Sequence, residues 1–359
     1  RRVLFRSEEF LDMRKPTGGD TNRKCLNLHH GIVISDKFME IIHRATKEEG
    51  FDDSWDLIDP HSKEVKKTVS ARALWVKLLQ NRMETGEPYL MFEDAVNAEL
   101  PQFQKDLGLY VNHSNLCSEI TLATNDERTA VCCLSSVNLE YYDEWKKVPA
   151  FIPDLIRMLD NVLTYFIENA PDSMEKAKFS AMRERSIGLG AMGFHAYLQR
   201  NMISFESIFA AGMNTEMFKH IKSQAQQTTE QLAVERGACP DDSSCSVRNA
   251  HLLAIAPNAS SSIICGNTSP SIETYRANAF TQKTKSGSFL QKNKYLDYVL
   301  SRKIGHTAVY EDTWKSIVTN KGSVQHLDIL TPEEKEVFKT AVERSEEHTS
   351  ELQSRQYLV

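Results

Sequence analysis

"SARALWVKLLQNRMETGEPYLMF", residues 70–92, contains a helix pattern that is followed directly by a strand pattern. Apolar residues recur with helical spacing between Ser70 and Glu84, and Gly86 ends the run. The segment "PYLMF", residues 88–92, then reads as a short buried strand. A helix followed by a strand is typical of α/β architecture, so this stretch predicts an α/β fold.

The composition excludes several classes of protein. The chain has 359 residues and 41% hydrophobic content, enough for roughly two domains or one large α/β barrel. Its net charge of -6 provides no general basic field, so nucleic acid is not an expected partner. We find no apolar run of membrane-spanning length and no signal peptide pattern. We therefore expect a cytoplasmic protein without a membrane partner.

Seven cysteines are spread thinly along the chain, an odd number that argues against a secreted disulfide scaffold. In a reducing compartment they should be thiols or redox-active groups. No C-x-x-C pair is present, so a zinc ribbon is not indicated, and the adjacent His29 and His30 lack the spacing of metal ligands. The sequence predicts no metal site.

Both ends differ from the rest of the chain. The segments "VLFRS" (3–7) and "RSEEHTSELQSR" (344–355) look like translated sequencing adapters, and such segments are set aside in fold reasoning. We expect residues 1–7 and 344–359 to be non-native and residues 8–343 to be the authentic part of the chain.

Further elements follow from periodicity and capping patterns. We predict a helix that Asp36 caps and that ends at Gly50, and two later helices over Ile152–Asn169 and Thr215–Arg236. "TAVCCLSSVNL" (129–139) and "LLAIAP" (252–257) are candidate strands. The small residues in "SIGLGAMGFHAYLQ" (186–199) predict a close approach by another part of the chain.

A possible catalytic group occurs in "SNLCSEI", residues 114–120. In an extended segment alternate side chains share a face, so Asn115, Cys117 and Glu119 would project together. A thiol between a hydrogen-bonding amide and a possible base is a candidate catalytic centre. The alternative is a half-buried strand whose polar residues face solvent. A cysteine hydrolase would also need an imidazole close to the thiol, which His113 does not clearly supply.

Two more segments carry chemistry. Cys132 and Cys133 are adjacent, so on a strand only one of them can face a site, although both could also be core residues. The segment "IAPNASSSI" (255–263) is a strand followed by small hydroxyl and amide residues, as at phosphate-binding helix N-termini. An ordinary cap and turn would have a similar composition.

Taken in order, the motifs resemble one family. From about residue 10 to residue 343 the chain is similar to the large (alpha) subunit of class I ribonucleotide reductases, especially to the versions of large tailed bacteriophages. The matching motifs are "LDMRKPTGGD" (11–20), "SNLCSEI", "CCLSSVNL" (132–139), "RSIGLGAMGFHAYL" (185–198), "GACP" (237–240), "IAPNASSSI" and "TNKGSVQHLDILT" (319–331).

The resemblance implies a fold and roles. It implies that residues 8–343 form a partial catalytic α/β barrel domain, which is part of a ten-stranded α/β barrel with a central finger loop. Such a fragment should be inactive by itself. Cys117 would be the thiyl radical residue, Glu119 the acceptor of a substrate proton and Asn115 a hydrogen-bonding partner of the substrate. Cys132 would belong to the redox dithiol, whose other member lies upstream in the family, at a position that Cys25 does not occupy.

The resemblance also implies ligands and partners. Substrate phosphates would bind the segment made of Asn258, Ala259, Ser260 and Ser261. The substrate would be a ribonucleoside diphosphate, reduced to the deoxyribonucleoside diphosphate for DNA synthesis. This chain would bind no cofactor itself, since a separate metal-containing small subunit supplies the radical and thioredoxin or glutaredoxin supplies electrons. The intact subunit would be a homodimer in the cytoplasm, the host cytoplasm if it is phage-encoded.

A second class of function stays open at this stage. The chain could be a non-catalytic nucleotide-binding or assembly fragment of a split reductase subunit. The flanking sequence would distinguish the two, because an enzyme needs an upstream cysteine on a strand and a downstream pair of tyrosines.

Overall fold

The structure, a computed structural model, describes residues 7–344 and divides into two compact units between Ala130 and Val131. The two adapter-like segments therefore lie outside the described residues, apart from Ser7 and Arg344 at their inner ends. Among residues 7–344, no helix combines the length and apolar content that crossing a membrane requires.

The first unit mixes short helices with two pairs of strands. Its helices are α1 (Ser7–Asp12), α2 (Asp36–Lys47), α3 (Ala71–Thr85), α4 (Glu93–Ala98) and α5 (Gln102–Asp106). Its strands are β1 (Gly31–Ile34), β2 (Ser54–Ile58), β3 (Val65–Ser70) and β4 (Tyr89–Phe92). β1 and β4 pair in parallel, whereas β2 and β3 form an antiparallel pair.

The predicted helix and strand of residues 70–92 are both present, as α3 and β4, but β4 is half-buried and Phe92 is exposed, so its predicted burial was wrong. The Ser70 side chain caps α3 by accepting the amide of Ala73, and Gly86 ends it with a φ of 77°. β4 then pairs with β1, from Gly31 opposite Tyr89 onward. The parallel pairing confirms the α/β order that the sequence indicated.

One predicted cap was wrong. Ser35, not Asp36, caps α2, because its hydroxyl oxygen accepts the amide of Phe38. Asp36 lies in the first turn, where a carboxylate is favoured by the helix dipole. Phe38 and Ile42 of this helix are buried with Ile34 and Ala71 in the core of the first unit.

The second unit is larger and mostly helical. Its helices are α6 (Tyr142–Trp145), α7 (Phe151–Asn169), α8 (Glu175–Glu184), α9 (Phe194–Arg200), α10 (Ile208–Arg236), α11 (Ser261–Ile264), α12 (Lys294–Ile304), α13 (Ala308–Thr319) and α14 (Pro332–Val337). Its strands are β5 (Leu134–Asn138), β6 (Gly188–Met192), β7 (Ala279–Thr284) and β8 (Gly287–Lys292). Short 3-10 turns occur in both units, over Thr21–Arg23, Leu139–Tyr141, Asp172–Met174 and Ala341–Glu343.

α7 agrees with the predicted helix, but α10 begins at Ile208 instead of Thr215. Its added first turns start at Ser207, whose hydroxyl accepts the amide of Ala210. Burial of Ala210 and Asn214 offsets the low helix propensity of Gly212, so packing extends the helix beyond its sequence pattern.

β5 and β6 pair in parallel and carry the centre of this unit. Leu134 lies opposite Gly188, and the register continues to Asn138 and Met192. The predicted strand 252–257 is shorter than expected, since it makes an isolated parallel bridge from Leu253 to Leu189. Beyond this bridge the chain leaves the sheet and enters a loop.

The predicted close approach occurs at Gly190. A Cβ atom built on Gly190 would lie 2.3 Å from the carbonyl oxygen of Ala254, so only a glycine fits this position. The chain at Ala254 therefore rests directly on β6. This contact fixes where the following loop starts.

A buried carboxylate joins α7, α8 and α10. Asp160 is fully buried on the apolar stripe of α7, where its oxygens accept bonds from the guanidinium groups of Arg185 (2.7 Å), Arg236 (3.0 Å) and Arg248 (3.3 Å). The burial of Asp160 among these arginines was not predicted, although a charged residue on an apolar stripe is a signal of a buried ion pair.

Candidate functional site

A loop over residues 110–124, here called the finger loop, carries the first candidate group. Its base is closed by the amide of Thr124, which donates to Tyr110 O at 3.2 Å. The Asn97 side chain of α4 makes two bonds to the backbone of Val111, at 2.8 and 3.1 Å. The loop is thus attached to α4 at one side and closed on itself.

The tip of the finger loop is a turn, so the predicted extended conformation was wrong. Ser118 has a φ of 64°, and its amide donates to Asn115 O at 3.1 Å. Asn115 Oδ1 accepts the amide of Ile120 at 3.1 Å, and Ser114 Oγ donates to Ile120 O at 2.7 Å. Asn and Ser side chains compete in this way with regular pairing. The shared face expected from strand alternation does not apply.

Cys117 lies exposed in this turn. Partial desolvation of the sulfur and the negative charge of Glu119 raise the pKa of the Cys117 thiol. The side chain is therefore held as a neutral S–H at neutral pH. A neutral thiol can give up a hydrogen atom, whereas a hydrolytic nucleophile needs a thiolate.

Glu119 and Asn115 each keep one functional group available. Oε2 of Glu119 is shielded from water and has no hydrogen-bond partner in the described part of the chain. Asn115 uses its Oδ1 within the loop, while its Nδ2 makes no bond to other described residues. The turn of the finger loop thus carries a thiol, a carboxylate and a side-chain amide within residues 115–119, and the charge of Glu119 acts on the Cys117 thiol.

The two adjacent cysteines differ in exposure, although neither lies on a strand, because β5 begins at Leu134 and the predicted strand 129–139 was too long. Cys132 is exposed, and Cys133 is buried in the core with its Sγ donating to Leu159 O at 3.5 Å. Burial, followed by the charge of Asp160, raises the pKa of the Cys133 thiol. Only Cys132 is therefore accessible to a substrate or a reductant.

Residues 257–262, here called the serine loop, follow the chain that rests on Gly190. Asn258 has a φ of 55°, a conformation that Asn accepts more readily than most residues. Ala259, Ser260 and Ser261 are exposed, and in the part of the chain that the structure describes their amide N–H groups donate to no carbonyl or side chain. The loop thus presents unpaired donors and two hydroxyl groups.

The side chain of Asn258 is used within the protein. Its Nδ2 lies 3.0 Å from Ser136 Oγ of β5, 3.3 Å from Ala191 O of β6 and 2.8 Å from Ala256 O. This bonding was not foreseen, because Ser136 and Asn258 are 122 positions apart. It leaves the backbone of Asn258, not its side-chain amide, to contact a ligand.

The candidate residues thus form two groups, one in each unit. The first unit holds Asn115, Cys117 and Glu119, and the second holds Cys132 with the serine loop. Convergence of the two groups on one pocket stays a prediction. Across residues 7–344 no cluster of three or more His, Cys, Asp or Glu side chains could hold a metal ion.

A second buried carboxylate, also missed, lies just after β5. Glu140 accepts a bond from the hydroxyl of Tyr295 and an ion pair from Lys294, while its Oε2 is buried without a partner among the described residues. Nothing in the local sequence marks Glu140 as buried, because its partners belong to α12.

Comparisons with known proteins agree on one family. A family model described as "Ribonucleotide reductase, barrel domain" matches residues 7–244 and 242–356. The ribonucleoside-diphosphate reductase large subunit of Invertebrate iridescent virus 3 is 43% identical over 378 residues, which cover 92% of this chain and 60% of that protein. A protein of Frog virus 3, named as a putative large subunit of the same kind, is 48% identical over 338 residues. These residues cover 93% of this chain and 58% of that protein.

A solved structure is similar as well. The Actinobacillus ureae class Id ribonucleotide reductase alpha subunit superposes with a TM-score of 0.82 at 36% identity, covering 97% of this chain and 60% of that one. The chain therefore spans about three fifths of the length of each of these three relatives.

Proposed function

Because the chain belongs to the ribonucleotide reductase barrel-domain family, we propose that it forms the catalytic barrel of a ribonucleoside-diphosphate reductase large subunit. This subunit reduces ribonucleoside diphosphates to deoxyribonucleoside diphosphates by radical chemistry. The observation that carries the proposal is the turn of the finger loop, which exposes the Cys117 thiol two residues before Glu119, whose Oε2 has no hydrogen-bond partner within residues 7–344.

The match to the family model and to the solved structure confirms the family that the motifs resemble and the α/β barrel fold class that they imply. The special likeness to tailed-phage versions stays a prediction, as do the boundaries at residues 8 and 343. The family model extends to residue 356, and Arg344 is buried with its Nη2 3.0 Å from Lys339 O.

Cys117 acts in this proposal as a carrier of one hydrogen atom. Cys117 gives one electron and one proton to the radical of the small subunit, and the resulting thiyl takes a hydrogen atom from a ribose carbon. The S–H formed in this way returns that atom once the sugar is reduced, and the thiyl left behind takes back one electron and one proton from the small subunit, so Cys117 is unchanged overall. A raised thiol pKa supports this role, because a thiolate has no hydrogen atom to give.

Glu119 and Asn115 handle the substrate hydroxyl. Glu119 Oε2 accepts the proton of the 3'-hydroxyl while a carbonyl develops at that carbon, and Asn115 Nδ2 donates a hydrogen bond to the developing oxygen. Both atoms lack partners among the described residues, which supports these roles.

Cys132 supplies electrons in the second half of the reaction. With a second thiol it gives two electrons and two protons to the sugar and becomes a disulfide, while the ribose hydroxyl leaves as water. Its exposure supports the role, whereas buried Cys133 is structural.

The serine loop holds the substrate phosphates. The amide groups of Ala259, Ser260 and Ser261 and the two serine hydroxyls donate to the phosphate oxygens, as short polar residues at a helix start do. The availability of these amides supports the assignment.

The wider assembly follows from the same proposal. The radical comes from a separate small subunit, where a metal site generates it, and thioredoxin or glutaredoxin reduces the disulfide. The large subunit is a homodimer and works in the cytoplasm.

The decisive experiment uses full-length protein with its radical-generating subunit and a dithiol reductant. We expect Cys117→Ser to bind ribonucleoside diphosphate like the parent protein and to form no deoxynucleotide. Cys245→Ser is the matched control, because it removes an exposed thiol outside the site. Substantial turnover by Cys117→Ser would overturn the radical role, and a parent protein that binds nucleotide without reducing it would support a binding module.

A further inference from the structure

The chain on either side of the serine loop is fixed to β5 and β6. Before the loop, the amide of Leu189 donates to Leu252 O at 2.8 Å. After the loop, Ser269 accepts two bonds near the end of β6, from the amides of Gly193 (2.8 Å) and Ala196 (3.1 Å). The serine loop is therefore a short span between two fixed ends.

The chain that leads into the serine loop packs against Gly190 and Ser136 of the sheet. They lie opposite each other in the parallel register of β5 and β6. Because Gly190 has no side chain, Ala254 approaches the sheet closely, and a Cβ on Gly190 would also lie 3.1 Å from Ser136 Oγ. The Ser136 hydroxyl thus points to the face of the sheet that the chain crosses.

Asn258 connects the loop to this face. Its Nδ2 has two hydrogens and three oxygens within 3.3 Å, on Ser136, Ala191 and Ala256. The bonds to Ser136 and Ala191 join the loop to both strands at once. The left-handed backbone of Asn258 turns the following amides of Ala259 to Ser261 outward.

We propose that Asn258 is a positioning residue instead of a side-chain ligand, and that its bond to Ser136 sets the place of the substrate diphosphate relative to β5. β5 begins two residues after Cys132, so the same bond relates the phosphate site to the reducing thiol. This inference rests on the proposed function.

The test is a double-mutant cycle on full-length protein, with Ser136→Ala, Asn258→Gly and the double variant. Asn258→Gly keeps the left-handed backbone and removes the side-chain amide without adding a charge. We expect Ser136→Ala to weaken ribonucleoside diphosphate binding about three- to tenfold, the effect of one neutral hydrogen bond, and Asn258→Gly to weaken it at least as much. The double variant should be no weaker than Asn258→Gly, since that change already removes the bond to Ser136.

Two controls separate positioning from a general loss of structure. Ser135→Ala makes the same change on the neighbouring residue of β5, whose side chain lies on the opposite face of the strand, and should bind like the parent protein. Affinity for the unphosphorylated nucleoside should stay unchanged in all variants, because only the phosphate site moves. An equal loss for nucleoside and diphosphate would indicate a structural role and overturn the proposal.

The outcomes also separate a failure of the proposed function from a failure of the positioning role of Asn258. If the parent protein binds the diphosphate but does not reduce it, the proposed function fails, and the dissociation constants still decide the role of Asn258. If Ser136→Ala binds like Ser135→Ala, or if the double variant shows additive losses, the positioning role is wrong. If Ser136→Ala does not fold, Asn258→Gly alone decides by its diphosphate-to-nucleoside affinity ratio.

Discussion

The carboxylate of Asp160 accepts two hydrogen bonds from the guanidinium of Arg185, at 3.0 and 2.7 Å, in the fully buried interior of the second unit. Burial alone would raise the pKa of Asp160, but the bonds and charges of the surrounding arginines outweigh it and lower that pKa. This pair therefore links α7 to the turn before β6 as an ionised group.

Replacing Asp160 by Asn should destabilise the protein strongly. The change leaves buried arginine charge without its counter-ion, which costs about 3 to 5 kcal/mol. Denaturant unfolding of the full-length protein measures the loss. Glu235→Gln is the matched control, because Glu235 pairs with Arg157 in an exposed position and should matter little. Equal stability of the two variants would contradict the prediction.

Acid should remove a stabilising contribution from Asp242. Burial would raise the pKa of this carboxyl, but bonds from Ser244, Ser246 and Val247 outweigh it and lower the pKa to about 2 from 3.8. The stabilisation is present above pH 3.8 and is lost as the pH falls toward 2, and it amounts to about 2 kcal/mol at neutral pH. The stability gap between the parent protein and Asp242→Asn should shrink to about half at pH 3. A gap that does not change with pH would refute this account.

Replacing Glu119 by Gln should slow catalysis and lower the pKa of the Cys117 thiol. Loss of the proton acceptor in Glu119→Gln should lower turnover by about 10²- to 10⁴-fold with little change in nucleotide binding. Since the Glu119 charge contributes to the raised pKa of Cys117, alkylation of Cys117 should shift to lower pH. Glu127→Gln, an exposed acid in the next turn, should change neither property. An unshifted alkylation profile would argue against the electrostatic contact.

The adjacent cysteines should fail in different ways when each is replaced by serine. Cys132→Ser should unfold like the parent protein but should not sustain reductant-dependent turnover, because Cys132 is exposed. Cys133→Ser should lose about 1 to 3 kcal/mol of stability, because it places a hydroxyl in the core beside Leu159. Denaturation and multiple-turnover assays on both variants check the pair, and the opposite assignment would reverse the results.

Two glycine-to-alanine changes should shift the free energy of unfolding in opposite directions. In Gly190→Ala the new methyl meets Ala254 O at 2.3 Å, so the chain must shift at a cost of about 1 to 3 kcal/mol, with weaker diphosphate binding. In Gly212→Ala the methyl meets nothing within 4 Å inside α10, and stability should rise by up to about 1 kcal/mol. Thermal unfolding and nucleotide titration distinguish them, and a neutral Gly190→Ala would show that the chain yields there.

Local sequence signals predicted much of the fold but little of the site geometry. Ser70 and Gly86 delimit α3 through caps that the sequence displays directly. The finger loop was predicted as extended because alternation ignores the bonds that Ser114 and Asn115 make to Ile120. The partnership of Ser136 with Asn258 depends on how distant segments meet, and no local pattern contains that information.

The same contrast between local and distant information applies to the roles of single residues. The exposure of Cys132 and the burial of Cys133 agree with the expectation that only one of two adjacent cysteines faces a site, although β5 begins only at Leu134 and neither cysteine lies on it. The ring of arginines around Asp160 requires three segments to meet in space, and only its carboxylate was visible as an anomaly in the pattern of α7.

The finger loop holds its shape through contacts among its own residues, from Tyr110 at its base to Ile120 beyond its tip. Such a segment is transplantable: residues 110–124 could be exchanged as a cassette with the equivalent loop of a related reductase, provided that the Asn97 contact to Val111 is kept. Chimaeras of this kind would let reactivity be varied independently of the scaffold that carries it.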